Sequence, residues 1–132
     1  MRIYVTHCSS AKNESLKGTS AKVSPQQLYT SARIQSFMRT CTLRKASWAI
    51  VSDLYGIWFP NETHEYYEKS PDDVDEREYQ TLLANFNERL APFEEVVFYR
   101  NRARFHSVYR RLVSESVLFS RITFISHYWD IR

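Results

Sequence analysis

The stretch that decides the fold spans residues 46–67 and reads ASWAIVSDLYGIWFPNETHEYY. Its first part, from Trp48 to Val51, is a short apolar run with one large ring and two β-branched side chains. Such a run predicts a strand that is buried on both faces, as in a parallel sheet. Gly56, one of only 2 glycines in the chain, predicts a turn with positive φ or a close approach to the backbone.

Runs rich in β-branched and aromatic side chains predict four strands. They lie near residues 2–7, 47–52, 94–99 and 121–126. Ser24-Pro25 and Ser70-Pro71 are typical helix starts, with serine as the N-cap and proline at the first helical position, and a third helix is predicted over 102–114. Strands that alternate with helices indicate an α/β fold. We predict one domain over residues 1–132, with a mostly parallel four-stranded sheet and helices on both faces.

Length and composition narrow the class of protein. The chain has 132 residues, 43% of them hydrophobic and 25% charged, which is typical of a single globular domain. No apolar run reaches the roughly 18 residues that span a bilayer, and no signal-peptide pattern precedes the first strand. We therefore expect a cytoplasmic protein without a membrane partner. Cys8 and Cys41 are too few for a disulfide framework, and nothing in the composition indicates an oligomeric state.

The carboxyl ends of the predicted strands carry polar side chains, and ligands of open α/β sheets bind at these ends. Ser9, followed by Lys12, is typical of an anion site. Asp53 and Glu65 are candidate general acids or bases. Cys8 is a candidate nucleophile, although a buried, inert thiol is the more common role for cysteine. A metal at His7, Cys8 and His127 lacks any paired-ligand spacing, so we predict neither a metal nor a cofactor.

Charge is distributed unevenly along a chain whose formal net charge is +3. Acidic residues crowd 61–78 and arginines crowd 100–111. Arginines beside aromatic rings suit unstacked bases. The candidate nucleic-acid contacts are Arg100, Arg102, Arg104 and Arg111. The alternative is that these arginines pair with the acidic residues of 61–78 on the surface and stabilise little.

Four blocks of sequence occur in a characteristic order. They are CSSAK at 8–12, SPQQLYTS at 24–31, AIVSDLYG at 49–56, and Pro60 with EYY at 65–67. The chain resembles the YaaA-like proteins, small uncharacterised prokaryotic proteins named after the peroxide stress protein. The resemblance covers about the first half of the chain. Val51 stands where that family usually has leucine, and Asp53-Leu54 replaces a commoner pair of a small residue and lysine.

The resemblance implies an α/β fold and a link to nucleic acid. The peroxide stress protein is associated with DNA binding, and related blocks occur in enzymes that modify 7-deazaguanine in tRNA. Beside Cys8, the motif positions imply ligand contacts at Ser9, Lys12, Tyr29, Ser31, Ser52, Tyr55, Gly56 and Tyr67. We expect Cys8 or Ser9 to line a single concavity together with Tyr29, Ser52 and Tyr55, suited to a planar ligand with a negative group.

Two functional hypotheses follow from these patterns. The first is a nucleotide- or nucleic-acid-related protein that modifies or cleaves at a base or glycosidic bond, with a nucleotide or nucleic acid as its partner. The alternative is a non-catalytic binding module whose aromatic loop, residues 57–67, docks a protein partner. That alternative requires Trp58 and Phe59 to form an exposed apolar patch.

Overall fold

The chain folds as an α/β protein around a five-stranded sheet. The structure is a computed structural model that describes all 132 residues. Its strands are β1 (Arg2–His7), β2 (Lys22–Val23), β3 (Ser47–Ser52), β4 (Gly56–Trp58), β5 (His64–Glu65), β6 (Glu95–Tyr99) and β7 (Ile122–Ile125). The main sheet has the order β4-β3-β1-β6-β7, and β2 pairs with β5 in a separate small sheet.

The four strands expected from the sequence are present and parallel to one another. The prediction of a four-stranded sheet was incomplete, because β4 adds a fifth strand that runs antiparallel to β3. Gly56 makes this return possible with a φ of +73°, which a residue with a side chain rarely adopts. Ser52 pairs with Gly56 across the turn. The sheet is therefore mixed.

Four helices connect these strands: α1 (Pro25–Leu28), α2 (Ala32–Leu43), α3 (Glu76–Leu90) and α4 (Ser107–Glu115). The helix expected from Ser24 onwards is divided in two, because the Ser31 side chain accepts a hydrogen bond from the backbone of Ile34 and caps a new helix. Ser70-Pro71 begins only a short 3-10 turn, and Asp75 caps α3 instead. Residues 102–104 form a 3-10 turn of their own before α4.

Both faces of the sheet pack against helices. Phe37 of α2 stacks on Tyr99 at 5.8 Å and meets the edge of Trp48 at 6.3 Å. Phe98, the neighbour of Tyr99 on β6, packs at 5.4 Å against Phe105, just before α4. Because successive residues of a strand point to opposite faces, α2 and α4 lie on opposite sides of the sheet.

Three further features of the fold are the character of its helices, the state of its cysteines and the structure of residues 11–24. None of the helices combines the length and apolarity that crossing a membrane requires. Cys8 and Cys41 are both buried and unpaired. Residues 11–24 contain a 3-10 turn and β2, and backbone hydrogen bonds join Asn13 to Leu28 and Thr30 to Ala11. These bonds hold the start of the segment beside the end of α1.

Candidate functional site at the strand ends

A cavity of about 680 Å³ opens at the carboxyl ends of β1 and β3. One wall follows β1 and β3, and the facing wall comes from residues 66–73 and from residues 104–109 around the start of α4. The sequence-predicted site residues that the structure places in the wall are Cys8, Ser9, Lys12, Asp53 and Arg104. We call this space the strand-end cavity.

Asp53 is the most unusual group in the strand-end cavity. It follows β3 directly and its side chain is 2% exposed. Its Oδ1 atom is buried and has no hydrogen-bond partner, a condition that costs free energy in a folded protein. Burial raises the pKa of the Asp53 carboxyl, and the influence of Cys8, Lys12 and Tyr67 opposes this only in part. Asp53 therefore holds a proton more readily than a solvated aspartate, which suits acid–base chemistry.

Lys12 provides the positive charge of the same cavity. The backbone bonds of residues 11–13 hold it in place, and its side chain is 8% exposed. The ammonium lies 4.6 Å from the centre of the Tyr67 ring and forms no salt bridge. It is nevertheless close enough to Asp53 to lower the pKa of that carboxyl. The strand-end cavity thus holds a buried carboxyl group and an ammonium group that form no salt bridge with each other.

Three predicted contact residues lie behind the cavity wall rather than in it. The Tyr29 and Tyr67 hydroxyls are 2.6 Å apart, and Ser52 Oγ donates to the Tyr67 hydroxyl at 3.0 Å. Ser52 Oγ in turn accepts from the backbone N–H groups of Leu54 and Tyr55. Because these hydroxyls satisfy one another inside the core, the expected shared concavity is wrong for Tyr29 and Ser52. We call Tyr29, Ser52 and Tyr67 the buried hydroxyl chain.

Tyr55 also lies outside the cavity wall. Its ring stacks on His64 at 4.0 Å, and its hydroxyl donates to the backbone carbonyl of Glu65 at 3.0 Å. Glu65, the second candidate acid or base, is exposed on β5 and does not line the cavity. Both residues therefore support the turn that follows β4 instead of contacting a ligand in the strand-end cavity.

Ser31 and Gly56 have structural explanations. Ser31 is the N-cap of α2. A Cβ atom at Gly56 would come within 2.4 Å of Asn85 Oδ1, and this same oxygen accepts a hydrogen bond from the backbone of Ile57 at 2.8 Å. The close approach that the glycine predicted is confirmed, and the approaching group is a side chain of α3.

Cys8 is a buried part of the wall and His7 is a partly buried one, and the charged form of each side chain is disfavoured. The Cys8 sulfur lies 3.2 Å from the Tyr109 hydroxyl, and burial, with the nearby Asp53, raises the pKa of the thiol. Since the thiolate is the reactive form, Cys8 is a poor nucleophile here. His7 Nδ1 donates to the Cys8 carbonyl at 2.9 Å. Burial and the charge of Arg33 lower the pKa of His7 to about 4, so the imidazole is neutral at pH 7.

The four candidate arginines fall into separate environments. Arg104 lines the strand-end cavity, Arg102 is exposed, and the Arg100 guanidinium lies 3.7 Å from the centre of the Phe124 ring. None of these three forms a salt bridge. Arg111 instead binds Glu76 at 2.8 Å and 2.9 Å. Its charge is already neutralised, so the assignment of Arg111 as a nucleic-acid contact is corrected to a surface ion pair.

The aromatic loop 57–67 does not form an exposed apolar patch. Trp58 is fully buried, and its Nε1 donates to the backbone carbonyl of Glu62 at 2.9 Å. Phe59 is half-buried beneath the Arg89 guanidinium. The two side chains that the docking alternative needs at the surface are therefore engaged within the chain.

Sequence reasoning missed the facing wall of the cavity. Lys69 donates to Glu78 at 2.6 Å, and His106 Nε2 lies 2.7 Å from Asp72 Oδ1. Tyr109 is a buried residue of α4 that also lines the cavity. No local pattern marks these residues, because their proximity to Asp53 is created by the packing of distant segments.

Comparison with known proteins gives no relative from which a function could be inferred. No protein family, no curated protein and no solved structure matches the chain. Nor does the fold gather three histidine, cysteine, aspartate or glutamate side chains into a cluster that would hold a metal ion. What the fold and site define is an α/β protein with a polar strand-end cavity, whose wall includes the Asp53 carboxyl and the Lys12 ammonium.

Proposed function

We propose that the protein binds a nucleotide in the strand-end cavity and that Asp53 performs acid–base chemistry at the base or its glycosidic bond. The observation that carries this proposal is the buried, partnerless Oδ1 of Asp53 in a cavity that also holds the Lys12 ammonium, which forms no salt bridge. Burying a carboxylate oxygen without a partner opposes folding. Its retention is explained if a ligand supplies the missing partner.

The wall beside Lys12 suits a phosphate. Ser9 and Ser10 contribute hydroxyls where the chain leaves β1, and an ammonium with hydroxyls and backbone N–H groups is a common environment for anions. The volume of about 680 Å³ falls within the range of sites for small ligands. A nucleoside monophosphate has the size, the anionic group and the planar base that this cavity would accommodate.

Asp53 would act as the general acid of the proposed reaction. Its raised pKa makes this carboxyl easier to protonate than a solvated aspartate. In the proposed reaction the protonated acid donates its proton to the departing base nitrogen as the bond to C1′ breaks. Water then supplies a hydroxyl group to C1′, and its remaining proton restores the acid. The products would be the free base and a sugar phosphate.

The family resemblance is part of the same proposal. Cys8, Ser9 and Lys12 of the first block lie in the cavity wall with Asp53 of the third. The second, third and fourth blocks supply Tyr29, Ser52 and Tyr67, which form the buried hydroxyl chain. We propose that the chain is a YaaA-like protein, since the blocks that carry the resemblance converge on one place.

Incubation with a panel of ribonucleoside and deoxyribonucleoside monophosphates tests the reaction, with released base measured by liquid chromatography. We expect base release by the wild type, its loss in Asp53→Asn, and its retention in Asp73→Asn. Asp73 is the matched control because it lines the same cavity but is exposed. Equal release by the wild type and Asp53→Asn, or release from no nucleotide, would contradict the proposed chemistry.

A further inference from the structure

The C-terminal part of the chain carries an excess of positive charge. Residues 100–132 contain seven arginines and two acidic residues, whereas residues 61–95 contain eleven acidic residues and three basic ones. Only Arg111 of the seven binds an acidic side chain. The others are therefore not neutralised within the protein.

Part of this charge gathers in the loop that joins β6 to α4. The pKa of Arg100 is lowered by burial and by the nearby charges of Arg102 and Arg110. Arg110 donates only to the backbone carbonyl of Phe105, and Arg102 is exposed without a partner. Like charges held together without counter-charges are stabilised when an anion binds among them.

Two exposed aromatic rings belong to β7 and to the turn that follows it. Phe124 of β7 is 37% exposed beneath Arg100. Trp129, shortly after β7, is 61% exposed, and its ring stacks on His127 at 4.3 Å. The backbone of Arg100 donates to the Ile125 carbonyl at 3.0 Å, which joins the arginine loop to the end of β7. We call Arg100, Arg102, Phe124 and Trp129 the basic aromatic edge.

The basic aromatic edge is connected to the strand-end cavity. Arg104, in the same loop, lines the cavity. The ring of His7, in the cavity wall, lies 6.1 Å from that of Phe105, which lies 6.1 Å from that of Phe124. A chain of neighbouring rings thus leads from the cavity to the edge strand of the sheet.

We infer that the basic aromatic edge binds single-stranded nucleic acid and that one nucleotide of this strand enters the strand-end cavity. Arginines would contact the phosphates, and unpaired bases would stack on Phe124 and Trp129, the combination by which single strands are bound. In a duplex the bases are stacked on one another, so the exposed rings would lack partners. The second half of the inference rests on the proposed function, and the first half does not.

Fluorescence anisotropy with labelled strands of about 12 nucleotides tests the inference. Single-stranded DNA, single-stranded RNA and a duplex are titrated at several salt concentrations. We expect single strands to bind more tightly than the duplex, and the two single-stranded arms show which sugar is preferred. Arg102→Ala should lower the slope of log K against log salt by about 0.7. Trp129→Ala should weaken binding about tenfold with little change in slope.

Matched controls remove the same groups elsewhere. Arg39→Ala removes an exposed arginine of α2, and Leu43→Ala removes an exposed apolar side chain; neither should change binding. Equal losses in Arg39→Ala and Arg102→Ala, preference for the duplex, or no binding of single strands at low salt would overturn the inference. Asp53→Asn should still bind strands at the edge. Binding of strands without binding of any mononucleotide would contradict the proposed function and leave the edge supported.

Discussion

The strand-end cavity and the contact between α3 and α4 differ in whether their charged groups have partners. In the helix contact, Arg111 binds Glu76 and Glu115 and lies 3.8 Å from the centre of the Tyr79 ring, and the Tyr79 hydroxyl donates to Glu115. We call these four residues the paired seam. Every charge of the seam has a partner and is solvated.

The cavity has a buried carboxylate oxygen that lacks a partner, although satisfying it would stabilise the fold. Asp53 and Lys12 line the same space without forming a salt bridge, while Arg111 and Glu76 of the seam, which are more exposed, form one. A protein selected for stability alone would show the reverse arrangement, because buried unpaired groups are costly and exposed pairs stabilise little. On this ground we propose that the cavity is the functional region and that the seam is part of the scaffold.

The largest expected difference between the two regions is in their response to acid. Folding lowers the pKa of His7 to about 4. Its contribution to stability is therefore present above its ordinary pKa of 6.5 and is lost as the pH falls through about 4. The loss corresponds to about 3 kcal/mol. Urea unfolding between pH 7 and pH 4 should show this decline in the wild type and a smaller one in His7→Gln.

His127→Gln is the control for that experiment, because His127 is exposed. It should follow the wild-type pH dependence. Arg111 lowers the pKa of Glu76 from 4.5 to about 2, so the contribution of this carboxylate to stability is lost as the pH falls from about 4.5 through about 2. Most of the loss from the seam therefore lies below pH 4, whereas the loss from His7 lies above it. An identical decline in His7→Gln and the wild type would show that His7 in the cavity wall does not contribute to the loss of stability in acid.

Asp53→Asn is expected to stabilise the protein. Because its pKa is raised in the fold, Asp53 contributes stability at low pH that is lost as the pH rises through the folded pKa. Removing the charge should therefore raise the free energy of unfolding near pH 8. Urea unfolding measures it, with the exposed Asp73→Asn as a control that should show no gain. Destabilisation by Asp53→Asn would mean that the carboxylate is satisfied after all.

Tyr67→Phe is expected to destabilise the protein by about 1–2 kcal/mol. The substitution removes the oxygen that accepts from Ser52 and bonds to Tyr29, and both remaining hydroxyls are buried. Thermal unfolding should show the loss. Tyr66→Phe provides a neighbouring comparison, because the Tyr66 hydroxyl bonds to Glu68 at the surface and its removal should have little effect. Equal shifts in the two variants would show that the hydrogen bonds of the buried hydroxyl chain stabilise the protein no more than a hydrogen bond at the surface.

Glu76→Gln should have the smallest effect on stability. Its partner Arg111 keeps Glu115 and the Tyr79 ring, and water can solvate what is left of the pair. Unfolding measured at low and high salt should differ little between variant and wild type, and any difference should shrink as salt screens the charges. A large, salt-independent loss would show that the seam is a structural requirement.

The sequence predicts the four parallel strands because each is a compact run whose type does not depend on distant residues. Ser47–Ser52 and Arg2–His7 are such runs, and the structure has both. Local patterns gave wrong predictions where a contact with a distant segment determines the structure. Ile57 and Trp58 were expected in a loop, but they pair back along β3. Tyr29 was expected in a ligand site, but the hydroxyl of Tyr67, 38 positions away, bonds to it within the core.

The candidate site was predictable to the same extent. Cys8, Ser9, Lys12 and Asp53 follow β1 and β3, and the parallel arrangement of those strands brings them together. Lys69 and His106 enter the cavity wall from segments whose approach depends on how α3 and α4 pack. That packing is a property of the whole core, so no local sequence pattern contains it.

Isothermal titration of a nucleoside monophosphate into Lys12→Met and Arg111→Met tests the central contrast most directly. Each variant removes one positive charge, the first from the strand-end cavity and the second from the paired seam. Matching nucleosides and inorganic phosphate, titrated into the wild type, separate the contributions of base and phosphate. We predict that the wild type and Arg111→Met bind a monophosphate alike and that Lys12→Met binds it at least about tenfold more weakly, a difference of about 1.4 kcal/mol. Equal affinities of the two variants, or no binding of any monophosphate to the wild type, would contradict the account.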